Sequence, residues 1–104
     1  MSDSPKDLLR DKINLETSRI NWIELQPFFA RSQVVRVSSS LDLVEVALKL
    51  SEDDKSIFNQ WMENGDVGEV DDQTAQQWFE DKNYLWSVVV RPWVLVQDKQ
   101  ENKP

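Results

Sequence analysis

The sequence predicts an α+β domain in which about five short helices pack on a small antiparallel sheet of two or three strands. Residues 85–97 carry the strongest strand signal, because they form the longest run of β-branched, aromatic and other apolar side chains. Residues 33–38 show a valine-rich, partly alternating pattern and are the expected pairing partner of that strand. Most remaining apolar residues recur at helical spacing and follow residues that commonly cap helices.

Five segments combine a helix-start signal with apolar residues at helical spacing. The second is capped by Asn21 and is expected to kink, or to split in two, at Pro27, because proline removes an internal hydrogen bond. The fourth ends before Gly65, which suits the left-handed position after a helix. Val67 and Val70 follow in a connector expected to add a one-residue bridge to the sheet. The predicted helices cover about residues 5–17, 21–29, 39–50, 54–64 and 71–83. The third starts at Ser39, with Asp42 three residues later, and its many valines leave a strand open as the alternative.

Residues 85–97, taken as one strand, have two different faces, because successive side chains point in opposite directions. The even-numbered positions are wholly apolar and are expected to line the core, whereas the odd-numbered positions include Arg91, Trp93 and Gln97. Pro92 cannot donate a ladder hydrogen bond and belongs at an edge or a bulge. A strand this long in a small sheet leaves an unpaired edge, which predicts a homodimer through that edge or through the odd-numbered face.

The composition indicates one globular domain at residues 1–97 and a flexible polar tail at residues 98–104. Of the 104 residues, 39% are hydrophobic and five are tryptophan, so a folded core is expected. No apolar run approaches the ~20 residues that span a membrane, and the first residues lack a secretory-signal pattern. These features, with the absence of cysteine, favour a cytoplasmic protein.

The chain contains neither histidine nor cysteine. This removes the commonest general base, the thiolate nucleophile and the usual zinc ligands. Any catalysis would have to use carboxylates, lysine, Tyr84 or a hard metal ion. No catalytic motif is present and no cofactor is expected, so the sequence favours a protein that is not an enzyme.

Negative charge is concentrated in residues 52–82, termed the acidic lobe, which hold ten acidic and two basic residues in a chain of net charge −7. Such a field repels phosphate backbones and favours basic partners or cations. The competing explanation for these acidic residues is solubility, because negatively charged surfaces repel one another and prevent aggregation. Asp71 and Asp72, at the expected start of the fifth helix, are the candidate partner-binding residues of the acidic lobe.

Arg91, Trp93 and Gln97 form a second candidate binding site, on the odd-numbered face of residues 85–97. An arginine–tryptophan pair on a half-exposed strand can hold a planar or anionic ligand, or act as an interface hot spot. The competing interpretation is that the N-terminal helix covers this face.

A metal site is not predicted, although one set of carboxylates merits a test. Asp53, Asp54 and Asp72 are the acids that a hard divalent ion would use, since Mg²⁺ and Ca²⁺ prefer oxygen ligands. No EF-hand loop is present. Helix capping and a solvated surface explain the same residues without a metal.

The helix–connector–helix at residues 54–82 invites a helix-turn-helix interpretation. Its second helix would present glutamines outward, and glutamine can read adenine. Arginine and lysine are missing where phosphate contacts would need them, which argues against nucleic-acid binding. Mimicry of DNA by the acidic lobe is compatible with its charge.

Several short stretches together resemble a known family: residues 17–20, 24–26, 41–47, 52–54, 85–86, 88–90 and 92–97, with Trp22, Trp61, Gly65 and Trp78. Over about residues 8–97 the chain is similar to the bacterial family called domain of unknown function 2288. Asn21 and Pro27 depart from the family pattern, in which the first is often proline and the second is not. The resemblance implies a compact bacterial protein and no particular activity.

Three functions remain open from the sequence. The first is a small intracellular protein-interaction or regulatory module that uses the acidic lobe or the Arg91/Trp93 face, with a protein partner that can be a second copy. The second is a carboxylate- or divalent-metal-dependent enzyme. The third is a helix-turn-helix-like nucleic-acid binder or a DNA mimic.

Overall fold

The computed structural model describes residues 5–98, with side chains from residue 8 onward. Five helices and five strands lie in this part of the chain, which confirms the α+β class and corrects the expected two or three strands. In chain order the elements are α1 (Pro5–Glu16), β1 (Ser18–Asn21), α2 (Trp22–Ala30), β2 (Val34–Val37), α3 (Leu43–Ser51), α4 (Lys55–Asn64), β3 (Val67–Glu69), α5 (Asp72–Glu80), β4 (Tyr84–Val90) and β5 (Trp93–Gln97).

The strands form one mixed sheet in the order β1-β4-β5-β2-β3. β2 pairs with β5 as expected, but the two strands run parallel, whereas the other three pairs are antiparallel. The prediction of a purely antiparallel sheet is therefore wrong. β1 was overlooked because it contains a single apolar residue, Ile20, whereas β3 was predicted only as a one-residue bridge and is three residues long.

Residues 85–97 do not form one strand. They turn at Arg91 and Pro92, which are joined by a cis peptide bond, and Val90 pairs with Trp93 directly across that turn. Because the chain reverses, the even-numbered residues of β4 and β5 lie on opposite faces, so the expected apolar face is divided between both sides of the sheet. β4 and β5 are both interior strands, and the predicted unpaired edge of this segment does not exist.

Hydrophobic clusters cover both faces of the sheet. The first joins α1, α3 and α4 to Val37, Val88 and Leu95, and the second joins α2 and α5 to Leu85 and Val96. An ion pair between Arg10 and Glu45 also links α1 to α3. Residues 94–97 of β5 are buried, because helices lie above and below this central strand.

Side chains cap α2, α4 and α5 where the sequence predicted them, whereas α3 is capped by Asp42 and not by Ser39. Asn21, Asp54 and Asp71 each accept a hydrogen bond from a backbone N–H in the first turn of α2, α4 and α5. Gly65 has φ 81°, the left-handed conformation expected after α4. α2 continues through Pro27 to Ala30, so the division of this helix into two pieces is wrong.

α4 and α5 do not form a helix-turn-helix pair. β3 separates them, and they pack on opposite faces of the sheet, with Phe58 and Trp61 in the first cluster and Ala75 and Trp78 in the second. Within the described residues, none of the helices combines the length and the apolar character that crossing a bilayer requires.

The expected flexible tail, residues 98–104, lies outside the described residues apart from Asp98. The Asp98 carboxylate accepts a hydrogen bond of 3.2 Å from the indole N–H of Trp78. The first residue assigned to the tail is therefore attached to the second hydrophobic cluster.

Candidate functional site

A cleft of about 430 Å³ opens at the end of the sheet where β2 and β5 begin. α4 forms one wall, and the edge strand β3 and the junction between α3 and α4 complete it. The lining residues are Ser32, Val34, Val35, Leu50, Asp53, Asp54, Lys55, Phe58, Asn59, Met62, Val67, Gly68, Glu69 and Trp93. This volume falls within the usual range for ligand pockets, roughly 300–1,000 Å³.

The cleft has a mainly apolar interior in which three large side chains remain partly open to solvent. Trp93 begins β5 and is 38% exposed, Met62 in the last turns of α4 is 51% exposed, and Phe58 is half-buried. Large apolar groups in a concave site lose their water when a partner binds, so they are common interface anchors.

Carboxylates dominate the charge of the cleft. Asp53, Asp54 and Glu69 line it, and Lys55 is the single basic residue among its described lining residues. Asp53 has φ 59°, a left-handed conformation that aspartate tolerates better than most residues, and Asp54 caps α4 by accepting a hydrogen bond of 3.3 Å from the Ile57 N–H. The turn between α3 and α4 therefore brings two carboxylates to the rim.

A smaller pocket of about 270 Å³ adjoins the cleft. It shares Ser32, Val34 and Glu69 with the cleft and reaches Phe29 of α2 and Asp72 of α5. The three acids of the metal test set are thus divided, with Asp53 and Asp54 at the cleft and Asp72 at the smaller pocket. Across residues 8–98, acidic side chains form no group of three that could hold a metal ion.

Asp71 is a helix cap as well as an exposed acid. Its carboxylate accepts a hydrogen bond of 2.7 Å from the Thr74 backbone N–H. That bond, followed by one from the Thr74 hydroxyl and by the positive charge of Arg36, lowers the pKa of Asp71 below its usual value. Asp71 and Asp72 stay accessible at the start of α5, where a partner could reach them.

The three residues predicted on one strand face are separated in the structure. Trp93 lines the cleft, whereas Arg91 lies exposed in the β4–β5 turn. Gln97 is only 2% exposed, and its Nε2 donates hydrogen bonds of 2.8 Å and 2.7 Å to the carbonyl oxygens of Ser38 and Leu41. Gln97 is therefore an internal anchor, and Trp93 is the member of this set that reaches the cleft.

Sequence reasoning found Trp93, Asp53 and Asp54 but did not place them together. It missed Ser32, Glu69 and Met62. Ser32 could not have been found from the sequence, because its place in the cleft depends on the turn between α2 and β2, where its φ is 60°.

The family model described as "Protein of unknown function (DUF2288)" matches residues 8–98. The chain belongs to this family. No curated protein matches the chain.

Among solved structures, this DUF2288 chain is similar to PA1075 from Pseudomonas aeruginosa, whose solution structure was determined by NMR. The two sequences are 40% identical, and the match covers 97% of this chain and 94% of PA1075 with a TM-score of 0.79. The similarity supports the fold over nearly the whole chain and indicates no activity.

Proposed function

We propose that this DUF2288 protein is a small protein-interaction or regulatory module that binds a segment of a partner protein in the cleft. The observation that carries the proposal is the position of Trp93, a large aromatic side chain at the start of a central strand that stays 38% exposed inside a concave site. Tryptophan is enriched among the residues whose truncation costs most at interfaces.

The walls around Trp93 support the same function. Phe58 and Met62 extend the apolar surface along α4, while Asp53 and Glu69 provide polar groups at the rim. Apolar anchors surrounded by polar residues are typical of protein interfaces. The cleft is large enough for a few side chains, which suits a short segment better than a whole folded surface.

The test compares Trp93→Ala with Trp86→Ala, a matched control. Trp86 lies on the same face of the sheet, is also 38% exposed and is not a lining residue of the cleft. The wild-type protein and both variants, each checked for folding by circular dichroism, are used to capture proteins from the native cell extract. Captured proteins are then purified and titrated individually.

We expect Trp93→Ala to weaken binding of a genuine partner at least tenfold, a loss of about 1.4 kcal/mol. Trp86→Ala should leave that affinity unchanged. Equal capture of every protein by Trp93→Ala and the wild type would exclude the cleft as the binding site. Light scattering on the same samples tests self-association. If the wild type and Trp86→Ala are dimers and Trp93→Ala is a monomer, the partner is a second copy of the chain.

A further inference from the structure

We infer that the segment bound in the cleft carries a basic side chain, arginine or lysine, next to an apolar residue, with its cation placed over Trp93. This inference rests on the proposed function and specifies the chemistry of the partner. Three features of the cleft support it: its charge, its apolar wall and a contact made elsewhere in the same sheet.

The first feature is charge complementarity. Three carboxylates and one ammonium group lie among the lining residues, so the cleft carries an excess of negative charge. Nine of the fourteen lining residues belong to the acidic lobe, which holds ten acidic and two basic residues. A cation entering this site gains from that field, whereas an acidic side chain would be repelled.

The second feature is the apolar wall beside those carboxylates. Arginine and lysine bury their methylene stems on apolar surface while the charged end stays near polar groups. Phe58 and Met62 offer such a surface, and Asp53 and Glu69 lie at the rim. A neighbouring apolar residue of the segment would cover the part of Trp93 that the cation leaves open.

The third feature is an internal precedent. Trp86 and Trp93 are equally exposed, and the guanidinium carbon of Arg19 lies 5.8 Å from the centre of the Trp86 ring. Such stacking is attractive because the ring face is electron-rich. Among residues 8–98, no arginine or lysine stacks on Trp93, so the position that Arg19 fills on one tryptophan is available to a partner on the other.

The experiment uses three blocked pentapeptides that differ only at the central residue: Gly-Leu-Arg-Leu-Gly, the same peptide with citrulline and the same peptide with glutamate. Citrulline keeps the shape of arginine without its charge. Each peptide is titrated into the full-length, isotope-labelled protein, and the amide signals of Asn59 and Gly68 and the indole signal of Trp93 are followed by NMR. Spermidine is titrated as a cation without apolar neighbours.

We expect the arginine peptide to shift the cleft signals and to bind roughly three- to thirtyfold more tightly than the citrulline peptide, with still weaker binding of the glutamate peptide. The paired variant Asp53→Asn with Glu69→Gln should remove most of this preference. The control Glu63→Gln with Asp81→Asn removes the same charge outside the cleft and should preserve the preference.

The results separate this inference from the proposed function. Equal binding of the arginine and citrulline peptides in the cleft would overturn the inference and leave the protein-binding function intact. Absence of shifts with all three peptides, or tighter binding of spermidine than of the arginine peptide, would also overturn it. The proposed function itself fails only if Trp93→Ala leaves every protein interaction unchanged.

Discussion

Gln97 connects the last strand of the sheet to the turn that precedes α3. Its side-chain amide donates to the carbonyl oxygens of Ser38 and Leu41, which are 59 and 56 residues away along the chain. A polar side chain in this position replaces water that those partly buried carbonyl groups would otherwise bind. The hydrogen bonds explain why a residue predicted to bind a ligand is almost fully buried.

Replacing Gln97 with leucine should destabilise the protein by about 1–3 kcal/mol, because two partly buried carbonyl groups lose a side-chain donor while side-chain volume is nearly kept, and the Ser38 carbonyl keeps the Leu41 N–H. Urea denaturation measures the change in the free energy of unfolding. Gln60→Leu on the exposed surface of α4 is the matched control and should stay within about 0.5 kcal/mol of the wild type. Equal stability of the two variants would show that the Gln97 hydrogen bonds contribute nothing net.

The candidate site was only partly predictable from its residue types. Trp93 stood out as an aromatic residue beside charged and polar neighbours, and Asp53 and Asp54 as adjacent acids. Their meeting depends on the β4–β5 turn, which places Trp93 next to β2, and on the end of α3. Neither feature has a local sequence signal that specifies the distance between residues 53 and 93.

At the level of elements, α4 ends at Gly65, whose φ of 81° lets the chain leave the helix and enter β3. The Gly65 N–H donates to the carbonyl oxygen of Met62, which satisfies one of the last helical acceptors. A Cβ at this position would touch nothing within 4 Å. The requirement for glycine is therefore one of backbone conformation alone.

Gly65→Ala should cost about 1–2 kcal/mol, because residues with a Cβ are strained in the left-handed region. Gly68→Ala is the matched control, since a Cβ there also meets nothing within 4 Å and its φ lies outside that region. Thermal unfolding should show a lower midpoint for Gly65→Ala and a midpoint equal to or above the wild type for Gly68→Ala. The opposite order would contradict the assigned role of Gly65.

Helices were predictable here and strands less so, for a physical reason. Capping by Asn21, Asp54 and Gly65 is a local effect between residues close in sequence, so its pattern is visible without the fold. β1 and β3 owe their strand structure to partners far along the chain, since Ile20 pairs with Leu85 and Val67 with Val37. The five helices were therefore predicted, while β1 was missed and β3 was predicted only as a bridge.

On the scale of the whole molecule, both hydrophobic clusters are built on the same central strands. Leu95 of β5 belongs to the first cluster and Leu85 of β4 to the second, and both side chains are fully buried. The two faces therefore share a backbone even though their side chains do not touch. Unfolding of one hydrophobic cluster should therefore unfold the other as well.

Leu95→Ala and Leu85→Ala should each cost about 2–5 kcal/mol, as expected for large-to-small changes in a packed core. Each variant should still unfold in one transition that coincides by tryptophan fluorescence and far-ultraviolet circular dichroism. Leu15→Ala is the matched control, because Leu15 is 84% exposed, and should change stability by less than about 0.5 kcal/mol. Two separate transitions in either core variant would mean that the faces unfold independently.

The acidic lobe also has a defined place in the molecule. α4 and α5 lie on opposite faces, and β3 between them is an edge strand, so residues 52–82 form one side of the protein. β1, with Arg19, forms the opposite edge. The protein is therefore electrically polarised across its sheet, and a basic partner would be drawn towards the cleft side.

The position of β5 has a consequence for how the protein is made. It is the last strand in chain order and the middle strand of the sheet, with β4 on one side and β2 on the other. A ribosome that has released everything up to β3 has delivered only the β2–β3 pair, because β1 pairs with β4. The sheet closes after Gln97 has emerged, so all five helices are synthesised before the two central strands on which they pack.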